Sequence, residues 1–146
     1  MTFVRRGGIL CLMARPIRAT ISTAALAHNL SIARKHAGAA KIWAVVKANA
    51  YGHGLLRATK ALQEADGYAM LDFVDALSVR DSGIDKPILM LEGFFKPDDI
   101  ELLLRYRLTP VLHSMAQIEM LEKTAIEGTL DVYLKINSGM NRLGFT

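Results

Sequence analysis

Residues 41–63, KIWAVVKANAYGHGLLRATKALQ, decide the fold class. The near-continuous apolar centre at 42–46 reads as a strand buried on both faces, the pattern of parallel strands. A Tyr51-Gly52-His53-Gly54 turn follows, and 55–63 has helical spacing. Upstream, Ser22 or Thr23 caps an expected helix with Leu26, Leu30, Ile32 and Ala33 on one side. Lys35 and His36 occupy its last turn and Gly38 stops it. Downstream the unit recurs. GYAMLD at 67–72 is an apolar run, 74–80 a helix, 87–91 a strand, 97–105 a helix opened by Pro97, and 109–112 a strand. Ser114 with Gln117 three residues later predicts a capping box and a helix to 127, and 130–136 reads as a last strand.

Five strands, the first four each followed by a helix, define an α/β chain with a parallel sheet. No GxGxxG follows the first strand and no GxxxxGK[ST] occurs, which removes the main support for the two common nucleotide-binding folds. A (β/α)8 TIM barrel fits the rhythm better. Such barrels take about 250 residues, whereas this chain has 146. The expectation is a partial barrel of about five βα units, truncated before closure.

Composition narrows the function classes. The chain is 51% hydrophobic and 22% charged, ordinary globular material. Charged residues interrupt every apolar run before the length of about 18 that a membrane span needs. A net charge of +4 without charge blocks or an aromatic ladder makes nucleic acid a poor partner. The single cysteine, Cys11, forms no internal disulfide and no Cys-rich metal site, which suits a reducing, cytoplasmic compartment. Residues 1–14 stand apart, with Arg5 and Arg6 before a short apolar stretch. They read as a leader or upstream extension in preference to a signal peptide, since no A-x-A-like site follows and Met13 offers a second start. The domain is expected over 15–146.

Two segments carry chemistry. Lys47 ends the most apolar strand, and active-site residues of barrels project from the C-terminal ends of strands. The flanking Ala44, Val45 and Val46 imply apolar surroundings that favour the free amine a Schiff base requires; a strand-end lysine reaching to water is the structural alternative. In the loop that follows, Tyr51 offers a hydroxyl, Gly52 and Gly54 permit close backbone approach, and the next helix start is a seat for a phosphate. His53 is read as a helix-start residue. In LKINSGMNRLGF, 134–145, a sharp turn lets the amides of Gly139 and Met140 face a carboxylate, with Arg142 as a cationic fork. Lys135, read as lying within the apolar strand, needs an acidic partner or a modification that removes its charge.

AVVKANAYGHG and LKINSGMNRLGF, in that order, resemble the two N-terminal motifs of the alanine racemase family; ADGYAMLDFVDALSVRDSG and DKPILMLEG resemble its intervening units. The resemblance runs from residue 16 to 146. It implies an N-terminal barrel followed by a C-terminal β domain, pyridoxal 5'-phosphate as cofactor, interconversion of L- and D-alanine for peptidoglycan, and a homodimer. Lys47 would carry the cofactor and act as one of two bases at the alanine Cα. Tyr51 would bind the phosphate and Leu91 would be an apolar cofactor neighbour. Arg142 would lie near the cofactor's phenolic oxygen and the substrate carboxylate, which the Met140 amide would face. Lys135 matches a lysine carbamylated in many members, where it positions this arginine. No metal is expected. The opposite base, a tyrosine of the partner subunit's C-terminal domain, has no counterpart in the sequence, so the chain alone is expected to be inactive. The alternatives are a non-catalytic pyridoxal-phosphate-binding barrel, a fragment that works only with a complementary partner, or an unrelated Schiff-base barrel enzyme.

Overall fold

The computed structural model describes residues 18–146; the leader read at 1–14 and Cys11 lie outside the described residues. The elements are α1 (Thr23–Ala37), β1 (Trp43–Val45), a single left-handed turn α2 (Lys47–Tyr51), α3 (Leu55–Ala61), β2 (Gly67–Met70), α4 (Phe73–Asp81), β3 (Ile88–Met90), α5 (Asp98–Arg105), β4 (Leu108–Leu112), α6 (Met115–Lys123) and β5 (Tyr133–Leu134). The sheet order is β1-β2-β3-β4-β5 and every pairing is parallel. Each connection carries a helix back over one face, as parallel neighbours require.

The pleat divides the strand residues between two cores. On the helix side, Ala44, Val46, Tyr68, Met70, Ile88, Met90, Leu108 and Leu112 pack against Leu55, Ala58, Ala76, Val79, Ile100 and Leu103. Among the described residues, the other side holds a buried cluster of Ala69, Leu89 and Val111 alone, with Trp43 and Leu91 against them. Burial of β1 on both faces therefore fails at Val45, which is 42% exposed while its neighbours Ala44 and Val46 are buried. The inner face has few groups to cover it. Trp43 spans much of that face: its ring meets Tyr133 of β5 edge-on, with centroids 6.1 Å apart and planes at 85°. Gly67 makes room for it. A Cβ there would collide with the indole and lie 2.8 Å from Pro87 O.

The Ser22 cap forms, its hydroxyl accepting from Ala25 N–H at 3.1 Å, and Gly38 ends α1 at φ +58°. Ile32, expected on the buried side, is exposed, and Leu30 is the buried residue of α1. The capping box at Ser114 does not form. Gln117 is buried instead, where its Oε1 accepts from His113 N–H and its Nε2 donates to Glu92 O and Phe94 O. Its amide ties the end of β4 to the loop after β3. α6 stops at Lys123, short of residue 127, and β5 has two residues, both exposed.

Asp66, just before β2, accepts from Ile42 N–H at 2.6 Å and from Arg34 Nη2 at 2.7 Å. The Ile42 amide first and the Arg34 guanidinium second hold its carboxyl below the usual value of 3.8. A lowered folded-state pKa means the unfolded chain binds the proton more readily, so the stabilisation is complete above the unfolded value and is lost as pH falls through the folded one. The stability difference between the native chain and Asp66→Asn should thus be largest near neutrality and shrink below about pH 4. Urea midpoints measured across that range test this; parallel curves would refute the assignment.

Candidate active site

In a parallel sheet all strands end on one edge, so residues just past them converge whatever their distance in sequence. Lys47 lies two residues beyond β1, Leu91 directly follows β3, and Lys135 directly follows β5.

Lys47 is half-buried. Its amine joins none of the ion pairs among the described residues, Arg34–Asp66, Arg107–Asp85 and Lys123–Glu119, nor any hydrogen bond there. The backbone after it is unusual: Ala48, Asn49, Ala50 and Tyr51 have φ between +52° and +54°. The left-handed region costs a residue with a Cβ about 1–2 kcal/mol, and such strain is found where the surroundings over-determine it. Here they do. Ala50 N–H donates to Val46 O at 2.9 Å, Gly52 and Gly54 donate to Asn49 O, His53 N–H donates to Ala50 O, and Ala50 is buried. Gly52 and Gly54, at φ +84° and +92°, complete the reversal. The chain thus turns four residues earlier than the expected YGHG turn, and Tyr51 belongs to the strained turn, 61% exposed. His53 Nδ1 contacts Ala50 O at 2.8 Å, a structural role. Leu55 N–H, the first donor of α3, is taken by Asn49 Oδ1 at 2.8 Å.

The second segment folds as a closed loop. Asn137 N–H donates to Phe145 O and Phe145 N–H to Lys135 O, bringing Ile136 beside Phe145. Asn137 Oδ1 accepts from the amides of Gly139 at 3.1 Å and Asn141 at 3.0 Å. The Gly139 amide is therefore not free for a carboxylate, whereas that of Met140 has no acceptor among the described residues. Met140 is 81% exposed and Arg142 exposed. Lys135, Asn137, Ser138, Met140 and Arg142 line one cavity of about 210 Å³; Lys47, Tyr51 and Leu91 are not among its lining residues. Lys135 does not sit within a buried strand. It is half-buried after β5, and Nζ donates to Leu91 O at 3.2 Å in place of an acidic partner. That bond ties the loop after β5 to the end of β3. Asn49 and Asn137 organise both halves, although neither was among the expected site residues. Their signal was the readiness of asparagine to adopt left-handed and Asx turns.

The family described as "Alanine racemase, N-terminal domain" matches residues 21–146. The chain belongs to the alanine racemase family. An alanine racemase of Erwinia tasmaniensis is 56% identical over 133 residues, which are 91% of this chain and 37% of that relative. The biosynthetic alanine racemase of Pseudomonas aeruginosa superposes with a TM-score of 0.80 at 39% identity, over 84% of this chain and 34% of that one. A histidine racemase of Leuconostoc mesenteroides superposes with a TM-score of 0.71 at 32% identity, over 86% and 35%. The chain thus spans little more than a third of the length of these family members and has the family's barrel fold in part. No described helix is long and apolar enough to cross a membrane. Among the described residues no cluster of His, Cys, Asp and Glu is suited to a metal ion.

Proposed function

We propose that this chain carries the cofactor-bearing part of a pyridoxal-phosphate-dependent alanine racemase. The observation that carries the reading is Lys47: an amine without a partner among the described residues, at the C-terminal end of a barrel strand, on a turn held in a strained conformation. The donor set suits an anionic aldehyde and a carboxylate. Lys47 offers the nucleophile, Tyr51 a phenolic donor for the phosphate, Leu91 an apolar wall, and Arg142 with the Met140 amide a carboxylate clamp. When bound, pyridoxal phosphate supplies the electron sink that stabilises negative charge at Cα.

In this mechanism the Lys47 amine takes or returns the Cα proton on one face, Arg142 and the Met140 amide orient the carboxylate, and Leu91 excludes water from one side. Lys135 supports the loop that carries Arg142. Addition of carbon dioxide to its nitrogen, with release of two protons from the ammonium, would turn it from a cation into an anion in the cavity that it lines with Arg142. Inversion needs a proton donor on the opposite face, which the resemblance assigns to a partner subunit of a homodimer. The proposed setting is the cytoplasm, with D-alanine as product for peptidoglycan, and the barrel part beginning near residue 15 after an extension at 1–14. A second reading concerns the substrate: the superposition on a histidine racemase favours testing a bulkier side chain beside alanine.

Pyridoxal phosphate, borohydride reduction and peptide mapping test the assignment. The label should fall on Lys47; preference for Lys41 or Lys60 would defeat it. In a chain extended to the full length of its relatives, Arg142→Ala should lower exchange of the alanine Cα proton by about 10²-fold or more while leaving the Lys47 label largely intact, because its work is charge stabilisation. Parallel loss of both would refute that division of roles.

A further inference from the structure

Resting on the reading of Lys47 as the cofactor lysine, we infer that Asn49 is a positioning residue for that amine. Asn49 adopts φ +54° in the left-handed turn and uses both of its oxygens to hold it. Its carbonyl accepts from Gly52 N–H at 3.1 Å and Gly54 N–H at 3.0 Å, and its side-chain Oδ1 accepts from Leu55 N–H at 2.8 Å. Leu55 opens α3, whose Leu55, Ala58 and Thr59 are buried. The core therefore holds α3, α3 holds Asn49, and Asn49 holds the turn that begins at Lys47.

The other end of the turn is equally fixed. Val46 is 1% exposed, its N–H donates to Ala69 O at 2.8 Å, and its carbonyl accepts from Ala50 N–H. Lys47 lies between these two anchors, so its Cα has little freedom while both persist. Ala48, Ala50 and Tyr51 have no side-chain hydrogen bond that favours a positive φ, and a Cβ makes that region unfavourable. Asparagine tolerates it and supplies the acceptor as well. Without the carboxamide the turn is free to relax toward the right-handed region, and the amine moves with it.

The experiment compares the native chain with Asn49→Gly, Asn49→Ala and Asn49→Asp. Each is incubated with pyridoxal phosphate, reduced with borohydride and mapped, and the ratio of label on Lys47 to label on exposed Lys60 is read. Lys60 serves as an internal reference within the same molecule, and circular dichroism checks the fold. Glycine accepts the positive φ without strain but lacks the acceptor; aspartate keeps the acceptor. The ratio should fall by about 10- to 100-fold in Asn49→Gly, as for a displaced reacting group, and recover in Asn49→Asp. Asn49→Ala should fall at least as far, and Asn49→Gly keeps the test decisive if that variant fails to fold. A native ratio in Asn49→Gly would overturn the inference while leaving the role of Lys47 intact. A loss in Asn49→Asp equal to that in Asn49→Gly would overturn it too, because the acceptor would not be the operative group. Absence of label from Lys47 in the native chain would overturn the cofactor reading and this inference together.

Discussion

Lys47→Ala should reduce deuterium exchange at the alanine Cα, measured with added pyridoxal phosphate, by about 10²- to 10⁴-fold toward the level of the free cofactor, the usual value of a positioned acid or base. Both proposed duties of Lys47, attachment and proton transfer, reside in one amine nitrogen, so no neighbour compensates. The other basic side chains in the two motifs are differently engaged or unsuited: His53 Nδ1 contacts Ala50 O, Lys135 Nζ donates to Leu91 O, and Arg142 carries a guanidinium that does not deprotonate. Lys47→Arg should therefore fail as completely as Lys47→Ala, although it preserves charge and length. Exchange followed by mass spectrometry at equal concentrations of folded chain decides the matter. Retention of more than a tenth of the native rate in either variant would show that another group removes the proton.

Arg80→Ala should destabilise the fold by about 2–4 kcal/mol, because charged hydrogen bonds are lost and carbonyls are left with fewer donors. The Arg80 guanidinium makes four: Nε to Tyr106 O at 2.8 Å, Nη1 to Ile84 O at 2.9 Å and Lys86 O at 2.7 Å, and Nη2 to Arg107 O at 2.9 Å. These carbonyls belong to the loop entering β3 and the loop entering β4, so one side chain of α4 latches two successive connections. Its half-buried setting keeps water from replacing every bond, and the partial exposure of the Arg107 contact places the expected loss below the sum of four. Lysine in this place has a single ammonium and cannot reach four carbonyls in a plane, so Arg80→Lys should recover less than half of the loss. Urea unfolding with an unchanged denaturant slope would register this as a lower midpoint. An unfolding free energy within about 0.5 kcal/mol of native for Arg80→Ala, the range of an ordinary surface change, would show that the latch is dispensable.

The alternation of strand and helix, the strand centres, the Ser22 cap, and the place of Lys47 just past a strand end were all legible in the sequence. These features are local: side-chain period follows from backbone geometry over a few residues, and a lysine after an apolar strand is visible as such. The architecture followed from the rhythm of the units, since parallel strands joined by helices have few ways to pack.

What stayed hidden depends on contacts and burial that residue-by-residue preferences do not report, many of them between residues distant in sequence. Gln117 read as half of a capping box because Ser114 lies three residues away. In the fold its Oε1 accepts from nearby His113 N–H, and its Nε2 donates to Glu92 O and Phe94 O, which the β3–β4 pairing brings close. Lys135 read as a buried cation seeking an acid, yet parallel strand ends bring it to the Leu91 carbonyl. Val45 read as buried like its neighbours, but the two faces of β1 are covered unequally, and coverage is a property of the sheet and not of the strand. The left-handed turn after Lys47 is the sharpest case. Alanine and tyrosine disfavour it locally and only Asn49 favours it; the bonds to Val46 and Asn49 and the burial of Ala50 impose it. Sequence by itself determined the order of strands and helices and which residues follow the strand ends. Tertiary structure decided how they are held, because a strained backbone persists only where the surrounding packing and hydrogen bonds offset its cost.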